Sequence, residues 1–261
     1  MSLAYRLTAR NTALESSNRI HSDDVARLYG FGGGLVPGVT SYAYLTHPVV
    51  ERWGRDWLEH GTLSARLTKP VYDGESIEVT LAAEGQATLF SRGEVCASGV
   101  AGLDRSSAQP AVLSRAEVPL QPPDASRSAF EARPILGSIT TEITPERAAE
   151  YLAKIGEDLS IYAAEGLVHP GFILGEANEI LMANVVLPPW IHVESQVRNL
   201  AAVAIGETIE TRARVSSLHE RKGHQLVELE VLVLTAGGVP AASIRHVAIY
   251  QLRPPGAPPD L

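Results

Sequence analysis

The chain carries one pattern twice. Gly34-Leu35-Val36-Pro37-Gly38-Val39 is answered by Gly166-Leu167-Val168-His169-Pro170-Gly171-Phe172, and Asp73-Gly74-Glu75-Ser76-Ile77-Glu78 by Ile205-Gly206-Glu207-Thr208-Ile209-Glu210. Both matches share essentially one offset, interrupted by the extra His169. A fixed self-similarity implies two copies of one structural unit, so each chemical residue can be compared with its counterpart. Differences between the copies then mark the working site.

With 261 residues, 45% of them hydrophobic, the chain can build one large domain or two that share a core. No apolar run approaches the roughly 20 residues of a membrane-spanning helix, and the start lacks the apolar stretch of a signal peptide, so a cytoplasmic, non-membrane protein is expected. The single cysteine, Cys96, excludes an internal disulfide and a Cys-based zinc site. A net charge of −8 offers no footprint for nucleic acid. Any anionic ligand has to be held by local groups.

Each copy reads as helix followed by strands. In the first, a strand over 5–13 and a short acidic-led helix over 22–28 precede a helix from Pro37, which Pro48 is expected to interrupt. Alternation with period two then predicts strands over 63–68 and 76–81, with further strands near 88–92 and 94–103. A proline- and serine-rich stretch over 105–134 reads as a linker. The second copy runs strand (138–143), helix (145–154), helix (170–185) and strands near 191–197, 208–216, 225–234 and 243–252. The tail from 254 reads as disordered. This is an α+β pattern in which each antiparallel sheet covers one apolar helix.

Asn18-Arg19-Ile20-His21, then Tyr29-Gly30-Phe31 and Gly34-Leu35-Val36-Pro37-Gly38, resembles the hydratase segment of MaoC-type dehydratases and (R)-specific enoyl-CoA hydratases. Pro70 to Glu75 and Glu220 to His224 resemble that family's strand turns. The resemblance implies a double hotdog: one hotdog over 1–104, the linker, and a second over 135–253. It also implies an acyl thioester substrate, on coenzyme A or acyl carrier protein, with no cofactor.

That family's motif pairs an Asp with the His. Here Ser16 stands in the Asp register, and in the second copy Glu157 and Tyr162 take the Asp and His registers. Pro170-Gly171-Phe172-Ile173-Leu174-Gly175-Glu176-Ala177 resembles the helix start of β-hydroxyacyl-ACP dehydratases, which places Glu176 where that family keeps a catalytic carboxylate. Its first-copy counterpart is Ala43. The resemblance therefore implies one interface site with His21 and Glu176, and a mate with Tyr162 and Ala43 that cannot do acid-base work. Structural alternatives stand beside this: His21 as a helix cap, Glu176 as a core ion-pair partner.

Asn18 is expected to shape the loop and His169 to line the pocket. Gly38 and Gly171, at two helix N-termini, are candidates for backbone N–H donors to a thioester oxygen. Arg212, Arg214, Arg221 and Lys222 form the best local basic patch for a coenzyme A phosphate, or simply solvated strand faces. The other histidines lack metal-ligand spacing, so no metal is expected. A hydro-lyase leads; a hotdog thioesterase and a non-catalytic acyl-thioester-binding module or partner subunit are the competitors. Closed symmetry makes a homodimer of such chains the default assembly.

Overall fold

The computed structural model describes residues 2–254, and the rest of the tail lies outside the described residues. Two central helices, α2 (Gly38–His60) and α6 (Pro170–Asn184), pack against each other and against a single ten-stranded antiparallel sheet. The first unit contributes β1 (Leu3–Thr8), β2 (Gly61–Leu67), β3 (Ser76–Leu81), β4 (Gln86–Ser91) and β5 (Glu94–Leu103). The second contributes β6 (Ile135–Glu142), β7 (Ile191–Asn199), β8 (Thr208–Arg221), β9 (His224–Thr235) and β10 (Pro240–Gln251). Strand order is β1-β3-β4-β5-β2-β7-β10-β9-β8-β6, so the same order is met reading inward from either end. The halves are spliced where β2 pairs with β7, from Thr62 opposite Arg198 to Arg66 opposite Glu194.

The repeat is visible bond by bond. Val36 N–H donates to the Val71 carbonyl and Val168 N–H to that of Val203; Gly74 N–H reaches Ala9 and Gly206 N–H reaches Ile143. Gly74 and Gly206 have φ of +77° and +92°, a left-handed turn that glycine adopts without steric cost. Sequence identity between the copies is thus kept where the backbone has no alternative.

One expectation needs correction. Pro48 does not interrupt the helix, because residues 40–50 are buried along their whole run and packing holds the chain straight despite the missing N–H. The break comes instead at Gly54, whose φ of 56° and ψ of −139° lie outside the helical region. The stretch over 105–134 runs between the units and packs against the second of them. Arg198 donates to the Ala108 and Ser106 carbonyls, Leu113 packs with Leu232 and Leu234, and α3 (Arg127–Ala132) buries Phe130 edge-on against Tyr250. The remaining helices are α1 (Asp23–Leu28), α4 (Pro145–Ile155) and α5 (Ile161–Glu165), with a 3-10 turn over Arg19–His21. No helix among the described residues is long and apolar enough to cross a membrane.

Candidate active site

A cavity of about 470 Å³ lies along α6, between that helix, β6, α4 and the loop after β1. His21 and Glu176 both line it. The basic ring comes from the first unit and the carboxyl from the second, as the resemblance implied for the interface site.

His21 sits on the 3-10 turn that Asn18 caps by accepting the Ile20 N–H. The ring Nδ1 is 2.7 Å from the Leu35 carbonyl, an acceptor, so Nδ1 carries the proton and Nε2 keeps its lone pair. Burial lowers the imidazole pKa, against the opposing bond to Leu35, so the ring stays neutral. Asn18 gives one amide hydrogen to His21 Nε2 at 3.3 Å and the other to the Trp190 carbonyl at 3.0 Å, while its oxygen accepts the Trp190 N–H. One buried amide therefore fixes both the imidazole and the seam to the second unit. Ser16, in the Asp register, lines the cavity and accepts the Asn18 N–H at 3.1 Å.

Glu176 is 3% exposed. Its Oε2 accepts from the Thr141 and Thr211 hydroxyls, each at 3.0 Å, and Oε1 makes no hydrogen bond among the described residues. Burial raises its pKa more than the two hydroxyls lower it, and Glu179 one turn along raises it further. The site thus sets a neutral imidazole against a carboxyl that holds its proton beyond the usual range. Thr211 carried a sequence signal: it interrupts the buried series Ile209, Thr211, Ala213 on β8, a polar residue at an inward position.

The two helix N-termini differ. Pro37 gives α2 no side-chain cap, and while Thr40 and Ser41 N–H turn back to the Pro37 carbonyl, Gly38 N–H has no acceptor among the described residues. Gly38 lines a small pocket of about 30 Å³ together with His21, and Asn18, Pro37 and Trp190 line both this pocket and the main cavity. At α6 the Gly171 N–H is already donated to His169 Nδ1 at 2.9 Å. Gly171 therefore lines the cavity without offering a donor there.

A Cβ on Gly38 would fall 2.5 Å from Leu67 Cδ1 and 2.6 Å from His192 Nδ1. Gly38→Ala is expected to cost about 1–3 kcal/mol by overpacking, read as a lower midpoint in urea unfolding.

His169 does not line the cavity. It is 2% exposed, and once Nδ1 accepts the Gly171 N–H, the proton on Nε2 faces Glu157 Oε2 at 3.4 Å. Glu157 Oε1 accepts from His47 Nδ1 at 2.8 Å and from the Asp158 and Leu159 N–H groups. Tyr5 stacks on His47 at 3.4 Å, and Tyr162 packs beside His169 at 4.8 Å. The mate site is thus filled, with Tyr162 and Ala43 both buried. His47, Glu157 and Asp158 form the one candidate metal cluster among the described residues, but N–H donors already occupy the Glu157 oxygens. Nothing in the sequence pattern announced this network, since His47 and Glu157 are 110 residues apart.

The four basic candidates separate. Arg221 and Lys222, at the β8–β9 hairpin tip, line a groove of about 620 Å³ with Arg66 and Arg245. Arg212 is bound to Glu210 and the Leu113 carbonyl, and Arg214 to Glu230, so neither belongs to that groove. Ion pairing on the strand faces holds them.

No family model matches the chain, and no curated protein matches it in sequence. Solved structures do. A protein of Chloroflexus aurantiacus described as a MaoC domain dehydratase superposes with a TM-score of 0.63 at 12% identity, covering 97% of this chain and 95% of its own. A Mycobacterium tuberculosis protein described as a double hotdog gives 0.62 at 14% identity, covering 95% of each chain. A Novosphingobium aromaticivorans protein described as a thioesterase gives 0.51 at 13% identity, covering 95% of this chain and 96% of its own. The chain is a double hotdog, two hotdog units fused into one continuous sheet around a pair of helices.

Proposed function

We propose that the protein is a hydro-lyase that adds water to an α,β-unsaturated acyl thioester, or removes it from the β-hydroxy form, at the His21–Glu176 cavity. The observation that carries this reading is the pairing of a neutral imidazole and a proton-holding carboxyl in one cavity. A hydration needs both: a base for water and an acid for the α-carbon.

In the hydration direction water displaces the long 3.3 Å contact from the Asn18 amide, and His21 Nε2 then takes a proton from that water as the oxygen bonds to the β-carbon. The π electrons move to the α-carbon, which receives the Glu176 proton. Negative charge developing on the thioester oxygen is met by the uncapped Gly38 N–H at the α2 N-terminus. In the dehydration direction the same groups exchange proton roles. Arg66, Arg221 and Lys222, which form no ion pair among the described residues, edge a groove with an apolar floor that includes Val193 and Leu226, suited to a coenzyme A nucleotide.

Thioester hydrolysis is the competing reading, since a thioesterase-described protein shares the fold. Purified protein incubated with crotonyl-CoA separates them. Loss of enoyl absorbance without free thiol supports hydration; free thiol supports hydrolysis; neither, with saturable binding, leaves a binding module.

The competent state has His21 neutral and Glu176 protonated, so kcat/KM is expected to be bell-shaped. Its acid limb should lie below the ordinary imidazole value of about 6.5 and its alkaline limb above the ordinary Glu value of about 4.3. The limbs belong to the pair rather than to either residue. A rate that climbs steadily to pH 9 would contradict the assignment.

A further inference from the structure

We infer that Gly175 sets the size of the acyl group the cavity admits, an inference that rests on reading this cavity as the acyl site. Glycine in a helix interior is disfavoured relative to alanine, so its presence within α6 needs a reason. Backbone geometry does not supply one, because Gly175 is absent from the glycines with positive φ. Helix packing does not supply one either. A Cβ on Gly171 would meet the Tyr151 hydroxyl at 2.4 Å and Ala43 Cβ at 2.7 Å, whereas a Cβ on Gly175 has nothing within 4 Å.

What a side chain at 175 would enter is the cavity itself, whose wall Gly175 forms next to Glu176. The cavity follows α6 from Gly171 to Ala183, a path of roughly 18 Å at about 1.5 Å per residue. Gly175 lies within that path. A methyl placed there takes volume from the cavity without a protein atom within 4 Å of it, which is the property of a size gate.

The test compares Gly175→Ala and Gly175→Leu with the unaltered protein on crotonyl-CoA and trans-2-octenoyl-CoA, together with calorimetric binding of butyryl-CoA and octanoyl-CoA. The ratio of kcat/KM for octenoyl over crotonyl is expected to fall by about tenfold or more in the Leu variant and by less in the Ala variant. Octanoyl-CoA affinity should fall in the same order, relative to butyryl-CoA. Gly175→Ala is also expected to raise Tm by about 2 °C, since it removes the glycine penalty at an uncrowded position. Equal losses for short and long acyl groups, unchanged affinities in both variants, or a lowered Tm for the Ala variant would overturn the inference. Failure of the unaltered protein to turn over any thioester while the affinity ordering holds would sink the hydration reading and leave this one standing.

Discussion

Glu176→Gln is expected to lower kcat on an enoyl thioester by roughly 10²–10⁴-fold, and His21→Ala by a similar factor. Both groups serve one transition state, so the double variant should be no more than slightly slower than the poorer single one. Folding is not the confounder: Gln at 176 retains an oxygen for the Thr141 and Thr211 hydroxyls and, like the protonated carboxyl, carries no charge into the interior. Its thermal midpoint should match or exceed that of the unaltered protein. Steady-state kinetics with a parallel melt by circular dichroism would decide it, and a Gln variant that keeps full rate would remove Glu176 from the chemistry.

The second large effect is on stability. Glu157→Ala is expected to destabilise the fold by about 2–6 kcal/mol, because it leaves the buried His47 and His169 imidazoles without their common acceptor and takes the acceptor from the Asp158 and Leu159 N–H groups as well. The carboxylate bridges α2 of the first unit to the α6 entry of the second, so the loss should appear as a lower urea midpoint for one cooperative transition. Glu157→Gln, which keeps an oxygen but removes the charge, should fall between.

The pH dependence of this contribution has a definite sign. Burial raises the Glu157 pKa, but the bonds from His169 and His47 outweigh it and hold the group well below the usual carboxylate range. The unfolded chain therefore takes up the proton first as pH falls. Stability from Glu157 is complete above about pH 4.3, the ordinary Glu value, and drains away below it. Glu176 acts oppositely: its raised pKa favours the folded state at and below that ordinary value, and the benefit is given up as pH climbs through the raised one. A chemical-denaturation series from pH 3 to 7 in the Glu157→Ala background should show a shallower low-pH slope, the remainder coming from ion-paired carboxylates such as Glu228.

The doubled fold was legible because duplication leaves marks in sequence: the Gly74 and Gly206 turns recur for backbone reasons, and inward alternation on β3 and β8 is local. His21 and Glu176 were reachable through the resemblance and through comparison of copies, since a carboxylate facing Ala43 across the repeat stands out. The Asn18 bridge to Trp190 and the His47–Glu157–His169 network were not legible. They join residues 172 and 110 positions apart, and no local periodicity encodes such meetings. His169 was visible as an insertion but misplaced, because capping α6 and facing Glu157 depends on tertiary position. Pro48 misled for the same reason, with burial overriding local propensity.

The β2–β7 splice has a consequence for any attempt to treat the two hotdogs as separable modules. Expressed apart, each would end in a naked strand, with backbone donors and acceptors along Gly61–Leu67 or Ile191–Asn199 left to recruit whatever strand came near. Self-association of half-molecules, rather than monomeric solubility, is what that open border dictates, and the covalent join keeps the border closed from the moment the second half is made.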